Sequence, residues 1–382
     1  MRKKITAFIS LALTIALCMS LSGIKNRNEI VLKYTIKHKD DTWEKNRTGL
    51  LWALSMLGAE LPRGSFDRNI NWVDKTTFRI NLDSLGFIPE ALEAVKVVCD
   101  SIKTSDVYKK TGSVEIGHFV SLTIGSSWHY YRIVQAPVTY GDFLKQHNFE
   151  ATEIFPVVHS EVSKYQRFLR SNFKGDIART AFIAEEGRGL VTNNSFSAKE
   201  FNVMDVMKNG QLRFMIYDST GALLAAADEY FGISGKPAKC LWCHEINIQT
   251  LFVPTDSVPG YTGPVTFDRN TKKQNELLKQ YRQTLASDVD FSRLQDHAQM
   301  ELIYINYMEP SLEKLSQEWN VSVNHLKRIL KGFNTHVYHE YPFLGNLYYR
   351  DSIYAQSVYK PGRLPASIRE HNNKEPNFFS SK

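Results

Sequence analysis

Leu212-Arg213-Phe214-Met215-Ile216-Tyr217-Asp218-Ser219-Thr220-Gly221, running on through Ala222 to Ala226, is the stretch from which the fold class is read. Leu212, Phe214 and Ile216 alternate with Arg213, Met215 and Tyr217, the period of two that turns one face of a strand toward a core. Asp218 to Gly221 is turn sequence, so the spacing predicts a β-hairpin whose second arm is Ala222 to Ala226. Working outward, Ile30 to Lys37 sets Leu32, Tyr34 and Ile36 against Lys33, Thr35 and Lys37. Phe78, Ile80 and Leu82 alternate with Arg79 and Asn81. Helical spacing is interleaved with these strands. Gly49 to Leu61 reads as a helix stopped by Pro62, and Pro89 opens another with Leu92, Val95, Cys99 and Ile102 on one face. Val158, Val162, Tyr165 and Leu169 suggest a third, starting near Pro156. Beyond the Pro- and Gly-marked loop from Pro254 to Pro264 only helical patterns follow. These are Lys272 to Ala286, a stripe of Phe291, Leu294, Ala298, Leu302 and Ile305 capped by Asp290, and a helical hairpin over Ser311 to Leu330.

The expected class is therefore α+β, with mixed N-terminal and central domains bearing hairpins and a helical C-terminal region. The expected boundaries are 1–24 for a leader or anchor, 25–150, 151–264, 265–360, and a loose tail over 361–382.

Directly after the expected hairpin comes Lys236-Pro237-Ala238-Lys239-Cys240-Leu241-Trp242-Cys243-His244. C-x-x-C-H is the attachment pattern of c-type haem. Two thiols three residues apart can reach both vinyl groups of one porphyrin and form thioethers, while the adjoining imidazole supplies a proximal iron ligand. With four Cys and eleven His in 382 residues, the pattern arises in roughly one of a thousand shuffles. A thioredoxin-like dithiol would place a strand before the first Cys and a helix after it, whereas Gly235, Pro237 and Lys239 read as a loop. A zinc site would require a second ligand pair, and Cys99 is the only other cysteine outside the N-terminal segment. A plain Cys240–Cys243 disulfide in a haem-free envelope interaction protein is the remaining alternative.

The compartment is read from the N-terminus. Met1-Arg2-Lys3-Lys4 precedes Ile5 to Ile24, twenty residues without a charge, which is the form of a signal peptide or a retained membrane anchor. Ile15-Ala16-Leu17-Cys18 also resembles a bacterial lipobox, with Leu17 where a small residue is expected, so Cys18 is a candidate lipidation site. The expected location is the periplasm or cell envelope. The net charge of +7 includes Arg2, Lys3 and Lys4, and the rest is too dilute to indicate a nucleic-acid partner. The Ser311 to Leu330 hairpin is similar to a helix-turn-helix, a shape set by two crossing helices and not by DNA.

The C-x-x-C-H motif resembles that of c-type cytochromes, which implies one covalent haem c held by Cys240 and Cys243 with His244 on the iron. More locally, the order strand, turn, strand, loop and motif over roughly Gly210 to Phe252 resembles the mostly β c-haem family that includes the lysine-crosslinked, hydroxylamine-oxidising cytochromes. That family's crosslinking lysine and distal acid are not located in this chain. Met308, 64 residues beyond His244, resembles the axial Met of helical c-type cytochromes by its separation; His297, His336 and His339 are the other candidates for the sixth position, which is otherwise open. The implied role is electron transfer with a redox partner protein in the cell envelope. The alternative is a haem enzyme acting on a small redox molecule such as peroxide or a nitrogen oxide. The Trp128-His129-Tyr130-Tyr131-Arg132 cluster could face a ligand or serve packing.

Overall fold

The first sheet is assembled from short strands that bury alternate residues. β1 (Glu29–Lys33) buries Ile30 and Leu32 and pairs antiparallel with β3 (Thr77–Asn81), which buries Phe78 and Ile80. β2 (Ile70–Trp72) and β4 (Val114–Glu115) complete the order β2-β3-β1-β4. The computed structural model describes residues 28–35, 42–149, 153–172, 176–368, 375 and 377. The expected export segment, Cys18, and Ile36 and Lys37 of the first expected strand lie outside the described residues. No helix among those described is long and apolar enough to cross a membrane.

Helices pack on this sheet and on each other. α1 (Trp43–Met56) is capped by Thr42, whose side chain accepts from Lys45 N, and α2 (Ser65–Arg68) is a single turn. α3 (Pro89–Thr104) starts at Pro89 as its sequence requires, and Ser105 caps α4 (Asp106–Thr111). α5 (Ile116–Thr123), α6 (Ser127–Ile133) and α7 (Tyr140–His147) follow. Cys99 is fully buried on α3.

The second sheet has five strands in sequence order, every neighbour antiparallel: β5 (Glu153–Val157), β6 (Arg167–Ser171), β7 (Ala181–Arg188), β8 (Ser197–Val206) and β9 (Leu212–Asp218). Two expectations are corrected here. The helix near Pro156 is strand instead: Phe155, Pro156 and Val157 are all buried on β5, and the missing N–H of Pro156 is tolerated because β5 is a sheet edge. β9 does form, but its hairpin partner is β8, reached through the Met207 to Gln211 turn with Gly210 at φ +79°. The expected second arm is short, held by the bridge of Tyr217 to Leu223 and by bonds from Asp218 N to Ala222 O and from Leu224 N to Ile216 O. Tyr130 and Tyr131 occupy that edge, their hydroxyl oxygens accepting from Phe214 N and Ile216 N at 3.3 Å each. Covering an edge strand in this way leaves it fewer open donors for a further strand.

α8 (Pro237–Cys243) and α9 (Pro264–Gln283) come next. The stripe from Phe291 does not run as one helix, because Leu294–His297 is a 3-10 turn and α10 (Ala298–Met308) begins after it. α10 is buried on several faces, and glycines set how closely its neighbours approach. A Cβ on Gly49 of α1 would sit 2.7 Å from Gln299 O, and one on Gly117 of α5 would sit 2.7 Å from Ile303 O. α11 (Leu312–Trp319) and α12 (Val323–Ile329) form the expected helical hairpin around Leu315, Trp319, Leu326 and Leu330.

The fold is thus α+β, with helices gathered toward the C-terminus. One apolar core joins residues from all three expected central segments, including Ile30, Tyr130, Met215, Trp242 and Tyr304. Among the described residues beyond Pro361, Ile368 joins this core and Glu375 pairs with a buried lysine.

Candidate functional site

Pro237 at the first position of α8 starts the helix before the motif, so the approach from Pro237, expected as loop, is helical. Three-residue spacing then puts Cys240 and Cys243 on one helix face. Ala238, Leu241 and Trp242 are buried on the other, with Trp242 5.2 Å from Tyr304 between ring centres. His244 ends the helix, its backbone N bonded to Cys240 O at 2.9 Å. Its ring lies 5.1 Å from that of Phe214 on β9. Glu245 and Ile246 then take φ values of 46° and 57° and turn the chain back. Arg282 Nη2 holds Ile246 O at 2.7 Å, and Asn275 Oδ1 accepts from Ile248 N at 2.9 Å.

Cys240, Cys243 and His244 all line one cleft of about 1030 Å3, counting the space open to solvent. One wall is the sheet face carrying Leu169, Phe182, Ala184, Met204 and Phe214; the other includes Ile248, Leu251, Phe252 and Phe267. The lining is apolar and concave, with a few polar groups brought together at one side, which is the make-up of a cofactor site. The cleft was not legible in the sequence, because its wall is contributed by four strands.

Burial controls the titrating groups here. It pushes the Cys240 thiol up to about 12, with Cys243 adding to the effect, the opposite of an activated dithiol, which needs a depressed thiol pKa. Burial holds His244 down to about 4, and its Nδ1 is buried without a hydrogen-bond partner, so the ring is neutral and keeps a nitrogen lone pair to donate to a metal. Among the described residues, no group of three or more His, Cys, Asp and Glu is placed to hold a metal ion.

Two further polar groups were missed in the sequence. Arg167 lines the cleft, is paired to Glu186 at 2.8 Å and lies 5.6 Å over the Phe252 ring. Glu200 on β8 is buried and raised to about 7 by that burial, while accepting from Asp228 N at 2.7 Å. Neither carries a motif signal.

The sequence candidates for the sixth position are not brought to the cleft. Met308 is buried in α10, and its carbonyl accepts from Arg350 N. His297 Nδ1 is 2.6 Å from Leu294 O, His336 is bonded to Glu309 and stacked on Tyr349 at 4.2 Å, and His339 is exposed. His129 is likewise structural, its Nδ1 2.7 Å from Leu122 O. Two other methionines, Met204 and Met215, are among the residues that line the cleft. Met204 stands in register with Phe214 and so shares its face, while Met215, next in sequence to Phe214, is fully buried.

No protein family matches the chain, and neither a curated protein nor a solved structure does.

Proposed function

We propose that this is an exported protein of the cell envelope that carries one covalent haem c in the cleft and exchanges electrons with a redox partner protein. The observation that carries the reading is the convergence of Cys240, Cys243 and His244 on a single apolar cleft. Cys240 and Cys243 would hold the porphyrin, each adding its S–H across one vinyl group, sulfur to one carbon and hydrogen to the other. His244 would donate its ring nitrogen to the iron. Met204 is the side chain that would complete the coordination of an electron-transfer site. When bound, haem supplies a one-electron iron couple whose potential depends on its axial ligands and on burial. The walls are mostly apolar, and Phe214 packs against the His244 ring.

The test is expression in a host with haem-maturation machinery, followed by a pyridine haemochrome spectrum. The expected result is a c-type spectrum that survives acid-acetone extraction. Haem that extracts, or a haem-free product, overturns the reading.

A second reading is favoured by one observation: Met308, His297, His336 and His339 all lie away from the cleft. An open sixth position would suit chemistry on a small redox molecule such as peroxide or a nitrogen oxide. Carbon monoxide binding by the reduced protein favours this reading; a six-coordinate protein that does not bind it favours electron transfer.

A further inference from the structure

A second concavity lies along the C-terminal half of α9. It is bounded by Arg63, Asn275, Lys279, Arg282 and the 285–294 segment, and encloses about 1390 Å3 including open solvent. Arg282 sets it apart. The side chain is only 5% exposed. Its Nε donates to Gly210 O at 2.8 Å, its Nη2 donates to Ile246 O at 2.7 Å, and the guanidinium lies 5.0 Å over the Phe291 ring. All three neighbours are neutral. No carboxylate among the described residues pairs with it, and burial alone pulls its pKa down to about 9. Nη1 makes no hydrogen bond among the described residues, and Arg282 lines the groove. The backbone is shaped around this side chain: Gly210 lies at φ +79°, and a Cβ there would fall 3.0 Å from Arg282 Cγ.

Arg63 and Lys279 line the same groove, are exposed, and form no ion pair among the described residues. Lys279 precedes Arg282 by three residues on α9 and so shares its side of the helix. Three carboxylates, Glu276, Asp288 and Asp290, line the groove as well, two of them held by neutral donors. Asp288 accepts from Gly64 N at 2.5 Å and Phe66 N at 2.9 Å. Asp290 accepts from Ser292 N at 2.9 Å and Ser292 Oγ at 2.6 Å. Glu276 is the acid left over, and it is exposed.

A buried charge is costly unless it is paired, and a guanidinium presents its donors in a fork that matches an oxyanion. We infer that this groove binds a small divalent oxyanion of the phosphate or sulfate kind, on Arg282 Nη1 with Lys279 and Arg63 as flanking cations. Neither the site nor its test depends on a cofactor.

The experiment is isothermal titration of the full exported protein with inorganic phosphate at constant ionic strength, chloride making up the balance. One saturable site is expected, with a dissociation constant on the order of 1 mM. Arg282→Gln should abolish it. Because that change also breaks two bonds of the fold, the exposed pair Arg63→Gln/Lys279→Gln is the decisive variant, with affinity expected to fall about tenfold, roughly 1.4 kcal/mol. No saturable heat up to about 20 mM phosphate, or unchanged affinity in the double variant, overturns the inference.

Discussion

Lys236 Nζ lies 2.7 Å from Glu375 Oε2, and both side chains are closed off from solvent. The lysine also donates to Ala366 O at 2.9 Å and Gly125 O at 3.2 Å. The carboxylate accepts from Ser126 Oγ and from Ser127 N, while Trp128 Nε1 donates to the Glu375 carbonyl. One ion pair thus ties the residue that opens the motif helix to the start of α6 and to the tail. Glu375→Ala leaves a buried ammonium without its partner and should cost about 3–5 kcal/mol. Lys236→Met combined with Glu375→Leu should recover most of that loss. Guanidinium unfolding of the four proteins of this double-mutant cycle measures the coupling, and strictly additive losses would show that the pair is not coupled.

The helix contact at Gly117 is equally specific. A methyl group there meets Ile303 O and the Tyr307 Cβ of α10, both parts of a packed core that cannot turn aside. Gly117→Ala is expected to cost about 2–3 kcal/mol through overpacking. Gly112→Ala, where a Cβ meets nothing within 4 Å but φ is +75°, should cost only the backbone strain of about 1–2 kcal/mol. Thermal unfolding that ranks the two variants the other way would contradict the close helix approach.

At the cleft, the two methionines should separate cleanly. Met/His ligation raises a haem potential, so Met204→Ala should lower the midpoint potential and allow carbon monoxide to bind the reduced protein. Met308→Leu should leave both unchanged and cost under about 1.5 kcal/mol as a volume-conserving core exchange. His244→Ala should change the spectrum and the potential together. Redox titration of the three variants decides between the assignments.

The contrast between Met308 and Met204 shows what could be read from the chain. C-x-x-C-H is legible because its chemistry lies within five consecutive residues. The strand at Leu212 to Ile216 is legible because alternation is local. Met308 was suggested by a distance along the chain, whereas Met204 reaches the cleft through its register with Phe214 across β8 and β9, which no linear spacing reports. Leu169, taken for the inward face of a helix, is a strand residue whose partners are Phe155 and Ala184; spacings of three and four arose by coincidence between two short strands. The buried place of Glu375 was hidden because its stability comes from Lys236, 139 residues earlier.

His118 gives the pH dependence of stability a definite sign. It is buried at 1% exposure, stacked on Tyr307 at 5.1 Å, and held down to about 3 by burial, with the Arg350 charge adding to the effect. Its ordinary value is 6.5. Between these values the unfolded chain binds a proton that the folded protein does not, so stability rises with pH across the window and is lost as pH falls from 6.5 toward 3. At about 1.4 kcal/mol per unit, this one residue should remove on the order of 4 kcal/mol by the acid end of that range. His118→Phe keeps a ring against Tyr307 and removes the titration. Urea unfolding at pH 7 and at successive steps down to pH 4 should therefore show a shallower acid loss in the variant than in the parent. Parallel curves for the two proteins would mean that His118 is protonated in the fold and that its burial exacts no such penalty.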